Sequence, residues 1–157
     1  SRKAALKFQF GDAESEVFSV RFSPDDKYLA AACGDGTIQI WNAVTGKRAF
    51  VLNQARDGEA LPTTQVRWRP LQAISKTKNV LLSVGAEGKI LHWHASSCKA
   101  LHEITEPDNQ LYCLDYAPDG SLFATAGKKR EVRIYDETTK KLRQVLIGGD
   151  SINTPGH

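Results

Sequence analysis

Apolar and polar residues alternate in short runs along this chain. Phe18, Val20 and Phe22 alternate with Val17, Ser19 and Arg21, the two-residue period of a β-strand. Ser23-Pro24-Asp25-Asp26 then reads as a turn, because Pro fixes φ and Asp can bond its own backbone. Tyr28 to Cys33 is a run of small and apolar residues suited to a strand deep in a core. Gly34-Asp35-Gly36 supplies residues that tolerate positive φ, as a tight hairpin needs. Thr37 to Trp41 alternates again, and Thr45-Gly46-Lys47 turns the chain into a fourth strand, Arg48 to Leu52. No window long enough for a helix keeps a 3.6-residue period, so the expected fold is all-β.

The pattern repeats. Val17 to Asn42, VFSVRFSPDDKYLAAACGDGTIQIWN, matches Leu111 to Asp136, LYCLDYAPDGSLFATAGKKREVRIYD, without a gap at an offset of 94. A middle unit runs from Gln65 to His94 with six extra residues after Pro70. Trp41, Trp93 and Tyr135 are equivalent, as are Phe22, Trp68 and Tyr116, and Pro24, Pro70 and Pro118. Short strands repeated with a period in the forties indicate a radially repeated sheet. Fourth strands are expected at Lys99 to Ile104 and Lys141 to Ile147. Ala5 to Phe10 alternates and ends at Gly11, so it reads as a lone strand that would complete a blade begun elsewhere. The expected organisation is a blade over about 17–52, one over 64–104 and one over 110–147, the lone strand at 5–10, and the start of a further repeat at 148–157.

SPDDKYLAAACGDGTIQIWN at 23–42 and APDGSLFATAGKKREVRIYD at 117–136 resemble the WD-repeat β-propeller family, and Gly156-His157 resembles the Gly-His that opens its repeats. The resemblance implies three four-stranded antiparallel blades of a propeller. It also implies a hydrogen-bonded set in each blade: Trp on the third strand, Ser or Thr on the second, Asp in the tight turn, and His from Gly-His. No unit has all four. The first has Trp41 and Asp35, but Ala31, and Asp12 near the His position; the second has Trp93 and Ser83, but Glu87 in the turn; the third has Thr125, but Tyr135 and Lys129. Stability is therefore expected to rest on apolar burial rather than on this network. A ring needs about four blades or more, so these three are expected to be the N-terminal part of a longer propeller or half of a two-chain ring.

Composition narrows the class. Net charge is +3, too small to imply a nucleic-acid or anionic-membrane partner by itself. No apolar run is long enough to span a membrane, and no signal peptide is legible. Cys33, Cys98 and Cys113 are widely spaced and odd in number, which favours a reducing, intracellular and cytoplasmic setting. The absence of Met suggests a processed terminus or a cut within a longer chain.

Catalytic chemistry is not legible. His92 and His94 could share one face of a strand, but supporting zinc ligands are missing, and His92 replaces the apolar Ile40 and Ile134. Cys33 and Cys113 read as buried, inert thiols. Gly34-Asp35-Gly36 lacks the Lys and helix of a phosphate loop. Lys128-Lys129-Arg130 reads as solvated turn charge, with an acidic peptide as the alternative. We expect no metal, no cofactor and no enzyme activity.

The resemblance directs attention to the ring face that carries the tight turns and the starts of the first strands. There it implies partner binding by Glu16, Phe18, Thr64, Gln110, Tyr112 and Lys128. Two aromatics on a rim that solvation should keep polar are the sharpest feature, because aromatics are enriched at binding hot spots. The expected function is a non-catalytic scaffold for protein or peptide partners. The alternatives are a structural subunit of a cytoskeletal or ciliary assembly, and a nucleic-acid- or anionic-lipid-binding propeller. Self-association or closure by the remaining blades is also expected. The longer loops Asn53 to Pro62 and Leu71 to Asn79 are further surface candidates.

Overall fold

A computed structural model describes residues 15–53 and 61–147. The first sheet contains β1 (Val17–Phe22), β2 (Tyr28–Cys33), β3 (Thr37–Asn42) and β4 (Arg48–Asn53). The second contains β5 (Thr63–Trp68), β6 (Val80–Gly85), β7 (Lys89–His94) and β8 (Lys99–Thr105), with a 3₁₀ turn at Ala95–Ser97 between its last two strands. The third contains β9 (Leu111–Tyr116), β10 (Leu122–Gly127), β11 (Glu131–Asp136) and β12 (Leu142–Ile147). In every sheet, strands adjacent in sequence pair with one another, and every pair is antiparallel. The expected all-β fold of three four-stranded blades is therefore the observed one. The expected strand at 5–10, Asp12, residues 54–60 of the first long loop, and Gly156-His157 lie outside the described residues.

The blades stack face to face. The first strands form the hub, β1 against β5 and β5 against β9, and the fourth strands lie outermost. Burial follows position in the stack. Strand β6, in the central blade, is buried at every residue. Its counterpart β10 is covered on one face only and alternates.

Between blades one and two, Ile38, Ile40, Leu52, Val66, Leu81 and Leu91 are buried together. Tyr28 stacks on Trp68 with centroids 6.3 Å apart, and the Trp68 indole donates across the seam to the Arg21 carbonyl at 3.0 Å. Between blades two and three, Phe123 stacks on Tyr135 at 5.1 Å, with Leu82, Val84, Ile90, Leu111 and Leu114 around them. Each such aliphatic side chain contributes about 2 kcal/mol when fully buried.

Tight turns differ between blades for a local reason. Gly36 and Gly88 sit at φ 85° and 84°, and their amides bond Cys33 and Gly85 carbonyls at 3.2 and 3.1 Å. The third blade has Arg130 at that place. Without a glycine for the left-handed position, its turn closes instead by the Glu131 amide on the Lys129 carbonyl at 2.8 Å.

Candidate functional site

The six expected rim residues lie at equivalent places in the three blades. In each, the residue before the first strand accepts a backbone hydrogen bond from the tight turn. Gly34 donates to Glu16 at 2.8 Å, Ala86 to Pro62 at 3.0 Å and Lys128 to Gln110 at 2.8 Å. The rim is thus the meeting of two loops per blade, held backbone to backbone.

One step along, the pairing of first and second strands skips a residue. Val17 pairs with Cys33 and Ser19 with Ala32; Thr63 pairs with Gly85 and Gln65 with Val84; Leu111 pairs with Gly127 and Cys113 with Ala126. The skipped residues are Phe18, Thr64 and Tyr112. A β-bulge re-aims the side chain it contains and increases local twist. Here it re-aims one equivalent side chain in each blade.

The three side chains then diverge. Phe18 is 54% exposed and Tyr112 50%. Phe18 and Glu16 lie over Gly34, where an added Cβ would meet the Glu16 carboxylate at 2.4 Å. Tyr112 donates its hydroxyl to Gln110 Oε1 at 3.0 Å. Thr64 is turned inward between blades and donates to the Leu111 carbonyl at 2.7 Å, with the Val84 carbonyl at 3.2 Å. Lys128 and Arg130 are exposed, while Lys129 is tied to the Pro107 carbonyl at 2.9 Å.

The polar network expected to be largely missing is present in altered form. In blade two, Trp93 Nε1 donates to Ser83 Oγ at 2.9 Å. In blade three, the buried Glu106 carboxylate replaces the histidine. It accepts from Thr125 Oγ1 at 2.6 Å, from the Tyr135 hydroxyl at 3.1 Å and from Asn109 Nδ2 at 3.2 Å. Asn109 Oδ1 in turn accepts the Lys129 amide at 3.0 Å. In blade one Ser15 does the same, its Oγ accepting the Asp35 amide at 3.2 Å, and Asp35 Oδ1 in turn accepts the Thr37 amide at 3.0 Å. Burial and the Glu106 charge push the Tyr135 phenol up to about 12, so it remains a donor.

A second buried carboxylate, Glu137, joins blades two and three at the opposite end. It accepts from His92 Nε2 at 2.9 Å, the Tyr116 hydroxyl at 3.1 Å and Arg69 Nη1 at 3.1 Å, with Lys140 Nζ at 3.3 Å. Burial opposes its charge, but the His92 hydrogen bond, the Lys140 charge and the Arg69 hydrogen bond outweigh it and hold the carboxyl at about 2. Burial also keeps His92 below its ordinary value. It is therefore a neutral packed histidine that donates Nε2–H, and it lies edge-on to Phe123 at 5.3 Å.

Sequence reasoning missed Glu106, Asn109 and Glu137. For Glu106 a signal existed: the offset of 94 that relates the first and third units places it opposite Asp12, near the family's His position. The expectation for Cys113 needs correction. It lies on the face of β9 turned away from the second blade, and it is exposed, whereas Cys33 is buried. Among the described residues no cluster of three or more His, Cys, Asp or Glu is placed to hold a metal. No helix among them is long and apolar enough to cross a membrane.

Comparison with known proteins bears on the same residues. The family model described as "WD domain, G-beta repeat" matches residues 5–42 and 98–136. The chain is 26% identical over 135 residues to the Periodic tryptophan protein 2 homolog of Dictyostelium discoideum, covering 85% of this chain and 14% of that protein. It is 28% identical over 131 residues to Coronin-2A of Homo sapiens, covering 76% and 24% respectively. It is 28% identical over 120 residues to Transcription initiation factor TFIID subunit 5 of Caenorhabditis elegans, covering 76% and 17%. The chain thus spans a quarter or less of each of these relatives. Among solved structures, the WD40 repeats of RRP9 superpose with a TM-score of 0.75 at 21% identity, over 88% of this chain and 41% of that one. Matched repeats and blade geometry agree: residues 5–42 and 98–136 are WD repeats, and the fold is that of part of a WD-repeat β-propeller.

Proposed function

We propose that these blades belong to a non-catalytic scaffold that presents one rim of a propeller to protein or peptide partners. The observation that carries this reading is the bulge repeated in every first strand, which delivers Phe18 and Tyr112 half-exposed to one edge. Glu16, Gln110 and Lys128 surround them with polar groups, and Thr64 fixes the seam below. The mechanism is preorganisation: the strands already hold the rim loops, so binding costs little conformational entropy. Exposed Cys98 and Cys113 are free thiols, which fits work in a reducing compartment. That one relative is named as a subunit of an initiation factor supports a role within an assembly. The remaining blades, or a second copy, would cover the open blade faces.

The test is Phe18→Ala with Tyr112→Ala in the full-length protein. Both side chains are exposed, so thermal stability stays within about 0.5 kcal/mol. Affinity for partners recovered with the native protein falls by about 2 kcal/mol or more. Unchanged affinity with unchanged folding removes the rim from the function.

A further inference from the structure

The connection from β5 to β6 is six residues longer than its counterparts in the other blades. It lies at the end of the blades opposite the rim. An unanchored insertion would be loop decoration, but this one is pinned. Arg69, whose side chain is 9% exposed, donates Nη2 to the Thr77 carbonyl at 2.8 Å and to Ser75 Oγ at 3.3 Å. Its other nitrogen is held by Glu137. Ala73 rests on the next blade at Gly120, where an added Cβ would come within 2.7 Å of the Ala73 Cβ. The insertion is therefore a fixed strap across the end of the stack.

The strap turns its apolar side chains outward. Leu71 is 63% exposed and Ile74 88%. A cleft lies on either side of it. One, of about 340 Å³, runs between the strap and the Ser23–Asp25 turn of blade one, with Trp68, Pro70 and Leu71 among its apolar walls. The other, of about 330 Å³, is bounded by Ile74, Gly120, Thr138 and Lys140. In the first cleft Arg69 is already paired with Glu137, which leaves Lys76 and Lys78 against the one acid of the lining, Asp25, and a net positive wall.

We propose that the Leu71–Asn79 strap is a second docking site, independent of the rim, for a partner segment that carries an aliphatic side chain beside acidic residues. The aliphatic group covers Leu71 and Ile74, and the acids meet Lys76 and Lys78. An extended nucleic acid fits less well, since the aromatic in the cleft, Trp68, is only 7% exposed and offers no open face on which a base could stack.

The experiment pans a displayed library of short random peptides against the full-length protein and measures the recovered peptides by fluorescence anisotropy. The expected peptides pair Leu, Ile or Val with Asp or Glu. Their affinity falls about tenfold with Leu71→Ser plus Ile74→Ser, and again with Lys76→Glu plus Lys78→Glu, as for the loss of an interface anchor. Phe18→Ala with Tyr112→Ala leaves them unchanged, which separates this site from the rim. Lys76→Gln with Lys78→Gln serves as a milder exposed variant, with thermal unfolding as the folding control. Recovery of no acidic-aliphatic peptide, binding insensitive to the strap substitutions, or tighter strap-dependent binding of oligouridylate would overturn the proposal.

Discussion

Two buried carboxylates determine much of the chemistry at the residue scale. Glu106 is 2% exposed and serves Thr125, Tyr135 and Asn109 at once. Glu106→Ala strands two hydroxyls in an apolar seam. At about 1–3 kcal/mol for each orphaned group, the expected loss is about 3 kcal/mol, read as a lower urea midpoint of the full-length protein. Glu106→Gln, which keeps the shape and one acceptor oxygen, should lose less. Glu137 gives a dependence on pH. Its folded carboxyl titrates near 2 rather than at the ordinary 4.5. The stability this contributes is present above pH 4.5 and is lost as pH falls from there towards 2. His92, held neutral below its ordinary 6.5, acts in the same direction, because the unfolded chain takes up that proton first. Acid therefore destabilises the fold, beginning below about pH 6.5. Glu137→Gln should be less stable at neutral pH and show a shallower acid limb. Parallel limbs for the two proteins would remove Glu137 as the cause.

At the scale of elements, the first-strand bulge is one device with different consequences in each blade. Thr64 spends its side chain on two carbonyls of the seam, so Thr64→Ala should cost about 1 kcal/mol in thermal or urea unfolding. Phe18 and Tyr112 at the equivalent positions face solvent, and their truncation should cost little. The third bulge also needs a glycine partner. A Cβ on Gly127 would stand 1.9 Å from the Gln110 carbonyl oxygen. That oxygen cannot retreat freely, because it already accepts the Lys128 amide at 2.8 Å. Gly127→Ala should therefore destabilise by about 1–3 kcal/mol, the usual range for overpacking, and shift the amide resonances of Gln110 and Lys128. Unmoved resonances would show that the bulge tolerates the methyl.

For the whole molecule, the outer faces of the first and third blades keep apolar side chains exposed. Val20, Phe22 and Val51 are exposed on the face of blade one that points away from blade two, with Phe22 at 61%. Val132 and Leu146 are exposed on the outer face of blade three. Sheet faces of this kind are aggregation sites when nothing covers them. The 157-residue chain by itself should self-associate at micromolar concentration in light scattering, and Val132→Lys with Leu146→Lys should reduce this. A clean monomer of the unsubstituted chain would contradict the reading of these faces.

How much of this was legible in the sequence depends on the range of the interaction concerned. Alternation, Pro-Asp turns and the glycines at 36 and 88 act between near neighbours, so the strand order, the repeats and the alignment of the rim positions could be read directly. The offset of 94 even placed Phe18 and Tyr112 at one position, although it could not show that this position is a bulge. The carboxylate latches were illegible as such. Glu106 lies in a Glu-Pro-Asp-Asn loop and Glu137 in an Asp-Glu-Thr-Thr turn, both of which read as solvated. Glu106 is buried by partners that strand pairing within blade three brings near, and Glu137 by partners that the stacking of blades brings near, as far away in sequence as Arg69 and His92. Cys113 fails for the converse reason: its strand alternates like an internal one, and only its place on the face turned away from the second blade exposes it. The sequence by itself determined the blades and their strand order, because strand period and turn geometry are local. Only the tertiary structure decided which polar groups are buried and which apolar faces stay open, because burial depends on what lies across the seam.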